Sequence, residues 1–518
     1  MIEAEVHQLL RKFLRQQGHT QWPHHLTMAR LVARALRLGR SALLQTGSTA
    51  AYRGHYRLSY LMPALVWPGP IVLVVPYTIH QQLVQDAIPT LLQTLPTIKS
   101  IHVGERWPYK GFQGILITTP KAWLSAQLDT TNKLQTEAPA FPENIVTVID
   151  GVDPLIDWVR HQLTCKLEDA DWHQLGLAYP TQQASIRDLR VKLTHLAFQH
   201  PDNPYSCYLA DSEEQHLLTV LYGQLADTPL GLDALPTAWR EFHQQLLQED
   251  GMTWLQLNRE SGQLSLRCAP VNLSAMMAPI WRRQPVILIG AAVDESRRAE
   301  IYRQRLGLEE LTCLKFTPDR QQDGIELYTP DRLPMPNSSQ FPNAILQEIR
   351  HLLQLPDTRN QPTIILVGDT PLKAQVGSIL AAEYGSRVQV ERDELSVNGI
   401  LVTGWEFWQD YRLRCPSPGL LIITTLPIPS LENPLVAGQV TYYKGLRQDW
   451  FRLFLLPTAL QTLQLAIAPI SAHQGKVALL DNRVNHRSYG RTIIKTLNPI
   501  AQSTYLDPSW LPPVNQTL

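Results

Sequence analysis

The sequence predicts an α/β protein with two doubly wound parallel-sheet domains and a mostly helical insertion in the first. Short apolar runs that end in turns alternate with helical patterns over residues 1–150, and the alternation returns from residue 361 onward. Such alternation is typical of parallel sheets covered by helices on both faces. Residues 154–264 instead show leucine-rich helical periodicity. We expect a first domain at 1–153 plus about 265–300, the insertion at 154–264, and a second domain at 301–518.

Length and charge fit several domains with different surfaces. A chain of 518 residues exceeds what one hydrophobic core usually supports, and 44% hydrophobic residues suffice to fill more than one. Lys+Arg and Asp+Glu balance at 46 each, so the net charge gives no signal for nucleic acid. Residues 1–60 carry 9 basic against 2 acidic residues, whereas residues 154–264 carry 7 against 15. We expect a basic surface on the N-terminal segment 1–60 and an acidic surface on residues 154–264.

The individual elements follow from local patterns. HHLTMARLVARALRLGR predicts an amphipathic helix with Arg30, Arg34 and Arg37 on one stripe. Buried strands of the first domain are predicted from SALLQTG, IVLVVPY, GILITTP and IVTVID. The insertion has helical spacing at Ile186, Leu189, Leu193 and Leu196. After the insertion, strands are predicted from MTWLQL, QLSLRC and QPVILIG. Residues 305–345 predict a linker with an edge strand. The strands of the second domain are predicted from QPTIILVGD, GILVTG, GLLIITTLP and KVALLD.

Cysteine usage and hydropathy exclude several classes of protein. The five cysteines are scattered and lie in no CxxC or Cys/His ligand spacing, so neither a disulfide framework nor a zinc site is predicted. The adjacent His24 and His25 point in different directions on a helix, and we expect a solvent-facing pair. We recognise no membrane span and no signal peptide, and we expect a cytoplasmic protein with no membrane partner.

The run from Val146 to Asp153 has the form of a strand that presents a carboxylate to a nucleotide-bound ion. Asp150 ends this strand, where it would reach Mg²⁺ at the carboxyl edge of a parallel sheet. The next residue, where an NTPase motor keeps Glu, is Gly151, which can neither accept a proton nor hold a water. Two interpretations stand at this point: Asp150 binds Mg²⁺, or it is a capping or turn aspartate, which the missing phosphate-binding lysine favours.

The segment from Gly47 to Gly54 lies where a strand–loop–helix phosphate cradle is expected. A working P-loop reads GxxxxGK[ST], because Lys reaches the β and γ phosphates and Ser or Thr binds Mg²⁺. Here His55 and Tyr56 stand at those positions. The local pattern alone favours an ordinary loop between a strand and a helix. The candidate nucleotide-binding residues of this segment are Gly47, Ser48, Thr49, Arg53, Gly54, His55 and Arg57.

The order of these motifs resembles the DinG/XPD-like branch of the superfamily 2 DNA helicases. WPHHLTMARLVARAL, LSYLMPAL, VPYTIHQQL and ITTPKAWL are similar to the family's early motifs. Gly404-Trp405-Glu406-Phe407-Trp408 resembles its GxxSFWEG element, LPIPSLENPL its LPFxxPxDP, and GKVALLDNRVNHRSYG its closing DxGxVxxLDxRxxxxxYG. The resemblance covers nearly the whole chain and is weakest at 154–250. It implies two RecA-like (P-loop NTPase) domains, an arch-like insertion, ATP with Mg²⁺, and DNA as partner.

The same resemblance implies where nucleic acid would bind. Single-stranded DNA would cross the cleft above both sheets and meet Thr78, Thr119 and the loop at Gly404 and Trp405. We expect the stripe of Arg30, Arg34 and Arg37 to add positive charge. The acidic insertion would repel the phosphates of a DNA strand. A protein partner is therefore the alternative to DNA.

Four departures from the family pattern coincide. The P-loop lysine is missing, the DEAH box becomes Asp150-Gly151-Val152-Asp153, and the SAT motif becomes Gly290-Ala291-Ala292. The arginine motif QxxGRxIR becomes Gln464–Ser471, where Ala468 and Ser471 replace both arginines. Residues 61–150 contain no Cys, so the iron-sulfur cluster that many relatives carry in this region is not expected.

These departures lead to one leading prediction and two rivals. The leading prediction is a helicase-fold protein that binds nucleic acid and has lost or strongly impaired ATP hydrolysis. The first rival is an active ATP-dependent DNA helicase in which Arg53 or Arg57 replaces the lysine and Asp153 replaces the glutamate, so that Asp150 and Asp153 are its catalytic residues. Gln464 is a further nucleotide-binding candidate. The second rival is a structural subunit that binds neither ATP nor DNA.

Overall fold

Three β-sheets form the framework of the chain in a computed structural model that describes residues 2–17, 22–93, 95, 99–128, 141–309, 311–318, 324–355 and 360–506. Two of the sheets found among these residues have seven parallel strands each, and the third has four antiparallel strands. The predicted α/β class with two parallel-sheet domains is therefore confirmed.

The first domain is built on a sheet with the order β11-β1-β10-β5-β2-β4-β3. Its strands are β1 Ala42–Gln45, β2 Ile71–Val74, β3 Ile101–Val103, β4 Ile115–Thr118, β5 Thr147–Asp150, β10 Val286–Gly290 and β11 Thr312–Lys315. Its helices are α1 Ile2–Gln16, α2 His25–Leu38, α3 Ser48–Arg53, α4 Leu58–Val66, α5 Tyr77–Gln82, α6 Ile88–Leu92, α7 Pro120–Leu128, α8 Leu155–Gln162, α13 Ser274–Arg283 and α14 Glu300–Leu306. The four strands predicted at 42–150 are confirmed.

Helices cover both faces of this sheet, and a separate hydrophobic core lies on each face. Helix α2 buries Met28, Val32 and Leu36 at helical spacing and packs with α1 and α4 on one face. Helices α7, α8, α13 and α14 cover the other face, where Trp123 stacks against Trp281. Strands buried on both faces read as continuous apolar runs, which explains the strong sequence signal of β2 and β4.

The insertion combines four helices with the antiparallel sheet, whose order is β6-β9-β8-β7. Its elements are β6 Cys165–Leu167, α9 Asp169–Ala178, α10 Gln183–Gln199, β7 Cys207–Leu209, α11 Ser212–Ala226, α12 Thr237–Leu246, β8 Gly251–Asn258 and β9 Gln263–Pro270. Helix α10 buries Ile186, Leu189 and Leu193, as its spacing predicts. Trp172 and Trp239 meet edge to face in its core.

The second domain is built on a sheet with the order β14-β15-β13-β16-β17-β12-β18. Its strands are β12 Ile325–Tyr328, β13 Thr363–Leu366, β14 Val388–Val390, β15 Ile400–Thr403, β16 Leu420–Ile423, β17 Lys476–Leu479 and β18 Ile500–Ser503. Its helices are α15 Phe341–Leu352, α16 Thr370–Tyr384, α17 Trp405–Tyr411, α18 Pro434–Gly445, α19 Leu456–Ser471, α20 Arg483–His486 and α21 Gly490–Thr496.

Three predicted boundaries differ from the structure. Helix α8 packs on the first sheet through Leu155 and Val159, so the insertion begins after it. Strand β9 pairs with β8 as far as Pro270, so the insertion ends later than residue 264. Strand β11 pairs with β1 at the edge of the first sheet, and the second domain therefore starts after Lys315 and not at 301. The sequence signal failed here because short strands do not reveal their partner sheet.

One helical stretch, Phe451–Ser471, is long and apolar enough to cross a membrane by length and composition alone. The expectation of no membrane span did not take account of this apolar stretch, which qualifies by length and composition only. The stretch consists of a π-helical turn at Phe451–Leu455 followed by α19. Its Leu463 and Ile467 belong to the core of the second domain, and 61% of its apolar 18-residue window is buried. This burial is typical of a core helix.

Candidate functional site

The carboxylate of Asp150 is completely buried and is bonded on all sides by the protein itself. It lies at the end of β5, as predicted. The Tyr56 hydroxyl donates to Asp150 Oδ1, and the Tyr60 hydroxyl donates to Oδ2 at 2.9 Å. Arg57 Nε donates to Oδ2 at 3.3 Å and forms an ion pair with it. We call Tyr56, Arg57, Tyr60 and Asp150 the Asp150 network. Of the two interpretations given for Asp150, the structural one describes these contacts.

The protonation states of the network follow from its burial. Burial and the neighbouring carboxylate raise the pKa of Tyr56 and of Tyr60 well above the usual value, so both hydroxyls remain donors. Burial alone lowers the pKa of Arg57, but Tyr56 and Asp150 outweigh that effect and raise it. Arg57 thus neutralises Asp150 and compensates the cost of burying its charge.

Gly151 has a backbone conformation that excludes the glutamate of a working motor. Its φ is +75°, in the left-handed region that glycine tolerates and that other residues rarely adopt. A Cβ at this position would make ordinary contacts, 3.5 Å from Pro76 and from Ile79, so the backbone conformation is the obstacle to another residue. The missing glutamate is therefore a feature of the local fold, because restoring it requires the strand end to change conformation.

The loop from Gly47 to Gly54 is also bonded by protein groups. The amide of Gly47, which would face a phosphate in a P-loop, donates to the carbonyl of Ala291 at 3.1 Å. Thr49 Oγ1 donates to Ser471 Oγ at 3.1 Å, and Arg53 Nη2 donates to the carbonyl of Ala472 at 2.6 Å. Both of these bonds join the first domain to the end of α19 in the second. Ser471, which replaces a motif arginine, is thus a direct partner of the loop.

The cavity between this loop and the second domain is small. It has a volume of about 30 Å³ and is lined by Trp22, Gly47, Thr49, Ser471 and Pro499 among others. A water molecule has about 30 Å³ in the liquid, and pockets for ligands of drug size have roughly 300–1,000 Å³. In this arrangement of the two domains, the cavity therefore has no room for a nucleotide.

The remaining nucleotide-site candidates do not converge on a phosphate. Ser48 begins α3, and Gly54 ends it where the Arg57 guanidinium folds over it. His55 is half-buried, and burial lowers its pKa. Gln464 Nε2 donates to the carbonyl of Thr496 at 3.3 Å, within the second domain.

The residues proposed as substitutes in an active helicase are likewise engaged elsewhere. Arg53 reaches the second domain, and Arg57 belongs to the Asp150 network and donates from Nη1 to Gln82 Oε1 at 3.0 Å. Asp153 accepts the amides of Ala291 and Ala292 at 2.8 Å each. Burial raises the pKa of Asp153, although these amides oppose the rise. Asp153 thereby anchors the segment that replaces the SAT motif.

The residues at this site do not fit ATP with Mg²⁺. A bound Mg²⁺ needs free carboxylate oxygens, whereas both oxygens of Asp150 accept protein donors. The β and γ phosphates need a lysine or an equivalent cation, and the nearby arginines have the partners described above. No step of ATP hydrolysis can be derived from this arrangement.

The predicted nucleic-acid residues of the first domain lie at the carboxyl edge of its sheet. Thr78 follows β2 at the start of α5 and is exposed, beside Tyr77 with 65% of its surface exposed. Thr119 follows β4 and accepts the amide of Ala122 with its hydroxyl at 3.3 Å, which begins α7. The two threonines therefore lie on adjacent strands of one edge, since β2 pairs with β4.

The Gly404 loop lies at the corresponding edge of the second sheet, after β15. The amide of Gly404 donates to Glu391 Oε1 at 3.0 Å, and Lys373 Nζ pairs with the same oxygen at 2.6 Å. Trp405 is half-buried against Gly368, with its indole nitrogen buried and without a partner among the described residues. The Gly404 amide therefore already donates to the Glu391 carboxylate, which weakens the case for its contact with a phosphate.

The arginine stripe of α2 does not join this surface. Arg30, Arg34 and Arg37 are exposed as predicted, but the C-terminal end of α2 runs directly into the start of β1. Arg34 and Arg37 therefore approach the amino edge of the sheet, and Thr78 lies at the carboxyl edge. Arg37 also pairs with Glu3 at 2.7 Å. The expectation that this stripe adds charge to the cleft is not supported by its position.

The prediction for His24 and His25 needs revision in part. His25 is 2% exposed and its Nδ1 shares a hydrogen bond with Ser59 Oγ at 3.0 Å, so the pair at His24 and His25 is not solvent-facing. In the insertion, His200, Asp211 and Glu214 place potential metal-ligand atoms within 4.8 Å of one another. A capping box at the start of α11 and a His200–Glu214 contact at 3.0 Å account for that cluster. The absence of zinc stays a prediction.

Tyr56 and Tyr60 are the site residues that the motif search missed. Their spacing of four places both hydroxyls on one side of a helical segment, directly after the loop. Two tyrosines at this spacing, close to a strand that ends in Asp, are a signal of a buried carboxylate partner. The spacing of the two tyrosines predicts this contact only when the loop is already known to face the strand that ends in Asp150.

Fold and site together define the class of protein. Two parallel-sheet domains, with the P-loop-like segment and Asp150 at the carboxyl edge of the first sheet, have the arrangement of a RecA-like pair. The edge that binds nucleotide in such proteins is present here, and the groups that bind its phosphates are replaced.

Comparison with known proteins finds partial sequence similarity to a DNA helicase. It is 25% identical over 208 residues to the ATP-dependent DNA helicase YoaA of Haemophilus influenzae, and 30% identical over 105 residues to YoaA of Escherichia coli. The matched segments span 38% and 20% of this chain but only 32% and 16% of those relatives. No family model matches.

Solved structures agree on the fold. A structure of XPD helicase superposes with a TM-score of 0.58 at 12% identity, covering 94% of this chain and all of that chain. S. tokodaii Xpd4 gives 0.58 at 13% identity, covering 93% of this chain and all of that chain. The chain is thus similar in part of its sequence to YoaA and similar in fold to the XPD helicases.

Proposed function

We propose that this protein is a helicase-fold DNA-binding protein in which ATP hydrolysis is lost or strongly impaired. The observation that carries the proposal is the Asp150 network. Two tyrosines and an arginine fill the coordination positions that Mg²⁺ would need, and the same carboxylate is buried with them. The bonds from Thr49 and Arg53 to the second domain support the proposal, because they occupy the nucleotide cleft.

The active-helicase alternative requires these contacts to break together. Arg57 would leave a buried ion pair, Arg53 would leave the second domain, and Asp153 would leave two backbone amides. Breaking one buried pair alone costs roughly 3–5 kcal/mol. We therefore favour the inactive form, in which the helicase fold is kept and ATP hydrolysis is lost or strongly impaired.

Single-stranded DNA is the partner that we infer for the carboxyl edge of the first sheet. The support is the exposed Tyr77 and Thr78, the cap at Thr119, and the exposed Lys121 beside it. Aromatic faces stack bases, and lysine neutralises phosphates. The rival proposal is a structural subunit that does not bind DNA. The cytoplasmic location stays a prediction.

A salt-dependent binding titration tests this proposal. The full chain is titrated against a fluorescein-labelled single strand at several salt concentrations, with and without ATP and Mg²⁺. We expect affinity to fall with salt and to be the same with and without ATP. Lys121→Glu should weaken binding, whereas the matched control Arg34→Glu at the opposite edge should leave it unchanged.

Two results would count against the proposal. No measurable affinity at any salt concentration would favour the structural subunit. An affinity that changes several-fold on adding ATP with Mg²⁺ would favour the active helicase.

A further inference from the structure

A second cavity, larger than the one at the loop, lies where three parts of the chain meet. Its volume is about 140 Å³. Helices α8 and α14 of the first domain, the segment at 271–273 that leaves the insertion, and α18 of the second domain contribute its walls. It shares no lining residue with the small cavity beside Gly47.

The lining of this cavity is positively charged. Arg160 of α8 and Arg305 of α14 both contribute to it, and its lining includes no Asp or Glu. Asn272, Gln439 and Tyr442 add amide and hydroxyl groups. Two guanidinium groups that share a cavity without an acidic lining residue form a local excess of positive charge at a domain junction.

Arg160 has an unused hydrogen-bond donor. Its Nη1 contacts Asp157 Oδ1 at 3.2 Å, and its Nη2 donates to Gln439 Oε1 at 3.0 Å. Its Nε is buried and has no partner among the described residues. Asp157 is on the same helix with its side chain 75% exposed, so it compensates only the outer side of the guanidinium. A buried donor without a partner is costly and needs an explanation.

The second arginine joins the two domains. The Arg305 guanidinium lies 5.6 Å from the centre of the Phe454 ring, which belongs to the second domain. Burial and the charge of Arg305 lower the pKa of Arg160, while Asp157 opposes that change. The two arginine charges are therefore close enough to act on each other at the junction of the two domains.

We propose that this cavity binds a compact oxyanion of the phosphate type, with Arg160 and Arg305 as its main ligands. Guanidinium groups bind phosphate oxygens through paired N–H donors, and Gln439 and Asn272 can complete the set. A cavity of about 140 Å³ is smaller than the pockets of roughly 300–1,000 Å³ that hold larger ligands. The bound anion would connect α8 and α14 to α18 and would stabilise the contact of the two domains.

The phosphate has two conceivable sources with the same chemistry: a free anion, and a phosphate group of a nucleic-acid strand. The proposal does not depend on the proposed function, because an oxyanion can bind here whether or not ATP is hydrolysed and whether or not DNA binds the carboxyl edge.

Thermal unfolding in inorganic phosphate tests the site. The full chain is titrated with phosphate against chloride at constant ionic strength. Wild type should show a saturable rise in its unfolding temperature, and Arg305→Met should weaken the apparent phosphate affinity about tenfold or more, since a charged hydrogen bond is lost. Arg305→Lys, which keeps the charge, should retain part of the effect. The matched control Arg30→Met, on the exposed face of α2, should behave as wild type.

The comparison with the control separates binding from general salt effects, because phosphate stabilises most proteins weakly by exclusion from their surface. Equal shifts in wild type, Arg305→Met and Arg30→Met would overturn the proposal. A single-stranded oligonucleotide added with saturating phosphate identifies the source: loss of the phosphate-dependent shift supports a strand phosphate in this cavity, and its persistence supports a free anion.

Discussion

The Asp150 network makes a prediction about stability that distinguishes a structural carboxylate from a catalytic one. In a working NTPase, the carboxylate that holds the metal serves function, and its removal commonly leaves stability unchanged or improves it. Here the carboxylate is completely buried and pairs with Arg57, whose side chain is 13% exposed. Asp150→Ala should therefore destabilise the first domain.

The size of the effect follows from what the substitution leaves behind. Removing the carboxylate leaves the Arg57 charge buried without its partner and removes the acceptor of two tyrosine hydroxyls. Breaking a buried pair in this way costs roughly 3–5 kcal/mol. Asp150→Asn keeps the shape and one acceptor oxygen, so its cost should be smaller than that of the alanine variant.

Urea unfolding followed by tryptophan fluorescence measures this effect, because Trp22 lies 6.2 Å from Tyr56 between ring centres. The first-domain transition must be fitted separately, since a multidomain chain need not unfold in two states. The control Asp188→Asn, an exposed carboxylate on α10, should shift stability by less than about 0.5 kcal/mol. An Asp150→Ala variant as stable as wild type would refute the structural role.

Two further predictions concern burial. The pKa of His25 is lowered to about 4 from 6.5 by burial, so its contribution is complete above pH 6.5 and is lost as pH falls towards 4, by about 3 kcal/mol in all. His25→Gln should flatten urea stability over that pH range, and an unchanged slope would contradict the assignment. Ser471→Arg restores a motif arginine at a site only 6% exposed, so overpacking should lower stability by roughly 1–3 kcal/mol and separate the domains, seen as a larger radius of gyration. An unchanged radius, or ATP hydrolysis gained, would contradict this; the exposed Ser386→Arg is its control.

The strands of the sheet centres could be predicted because they are buried on both faces. Runs such as Ile71–Val74 and Leu420–Ile423 are continuous apolar stretches, and each forms a central strand. The edge strand Ile101–Val103 is partly exposed and mixes polar with apolar residues, so its pattern is weak. The strand at Thr312–Lys315 could be recognised, but its membership of the first sheet depends on a pairing that no local pattern encodes.

The sequence predicts which catalytic residues are missing from the site. It does not predict which side chains form the contacts found there. Gly151 and Ser471 are visible in the sequence as departures from a motif. That Tyr56 and Tyr60 reach Asp150, and that Thr49 bonds to Ser471 across 422 positions of chain, depends on long-range packing. The arginine stripe of α2 shows the complementary limit, because helical spacing shows that Arg34 and Arg37 share a stripe but not which edge of the sheet they approach.

The central claim is that protein side chains occupy the site where ATP and Mg²⁺ would bind. The most direct test is release of phosphate from ATP by the purified full chain with saturating single-stranded DNA, with Asp150→Ala measured in parallel. The structure predicts no release above background for either protein. Turnover by wild type that Asp150→Ala abolishes would contradict the claim, because Asp150 would then be a metal ligand and not the centre of a structural network.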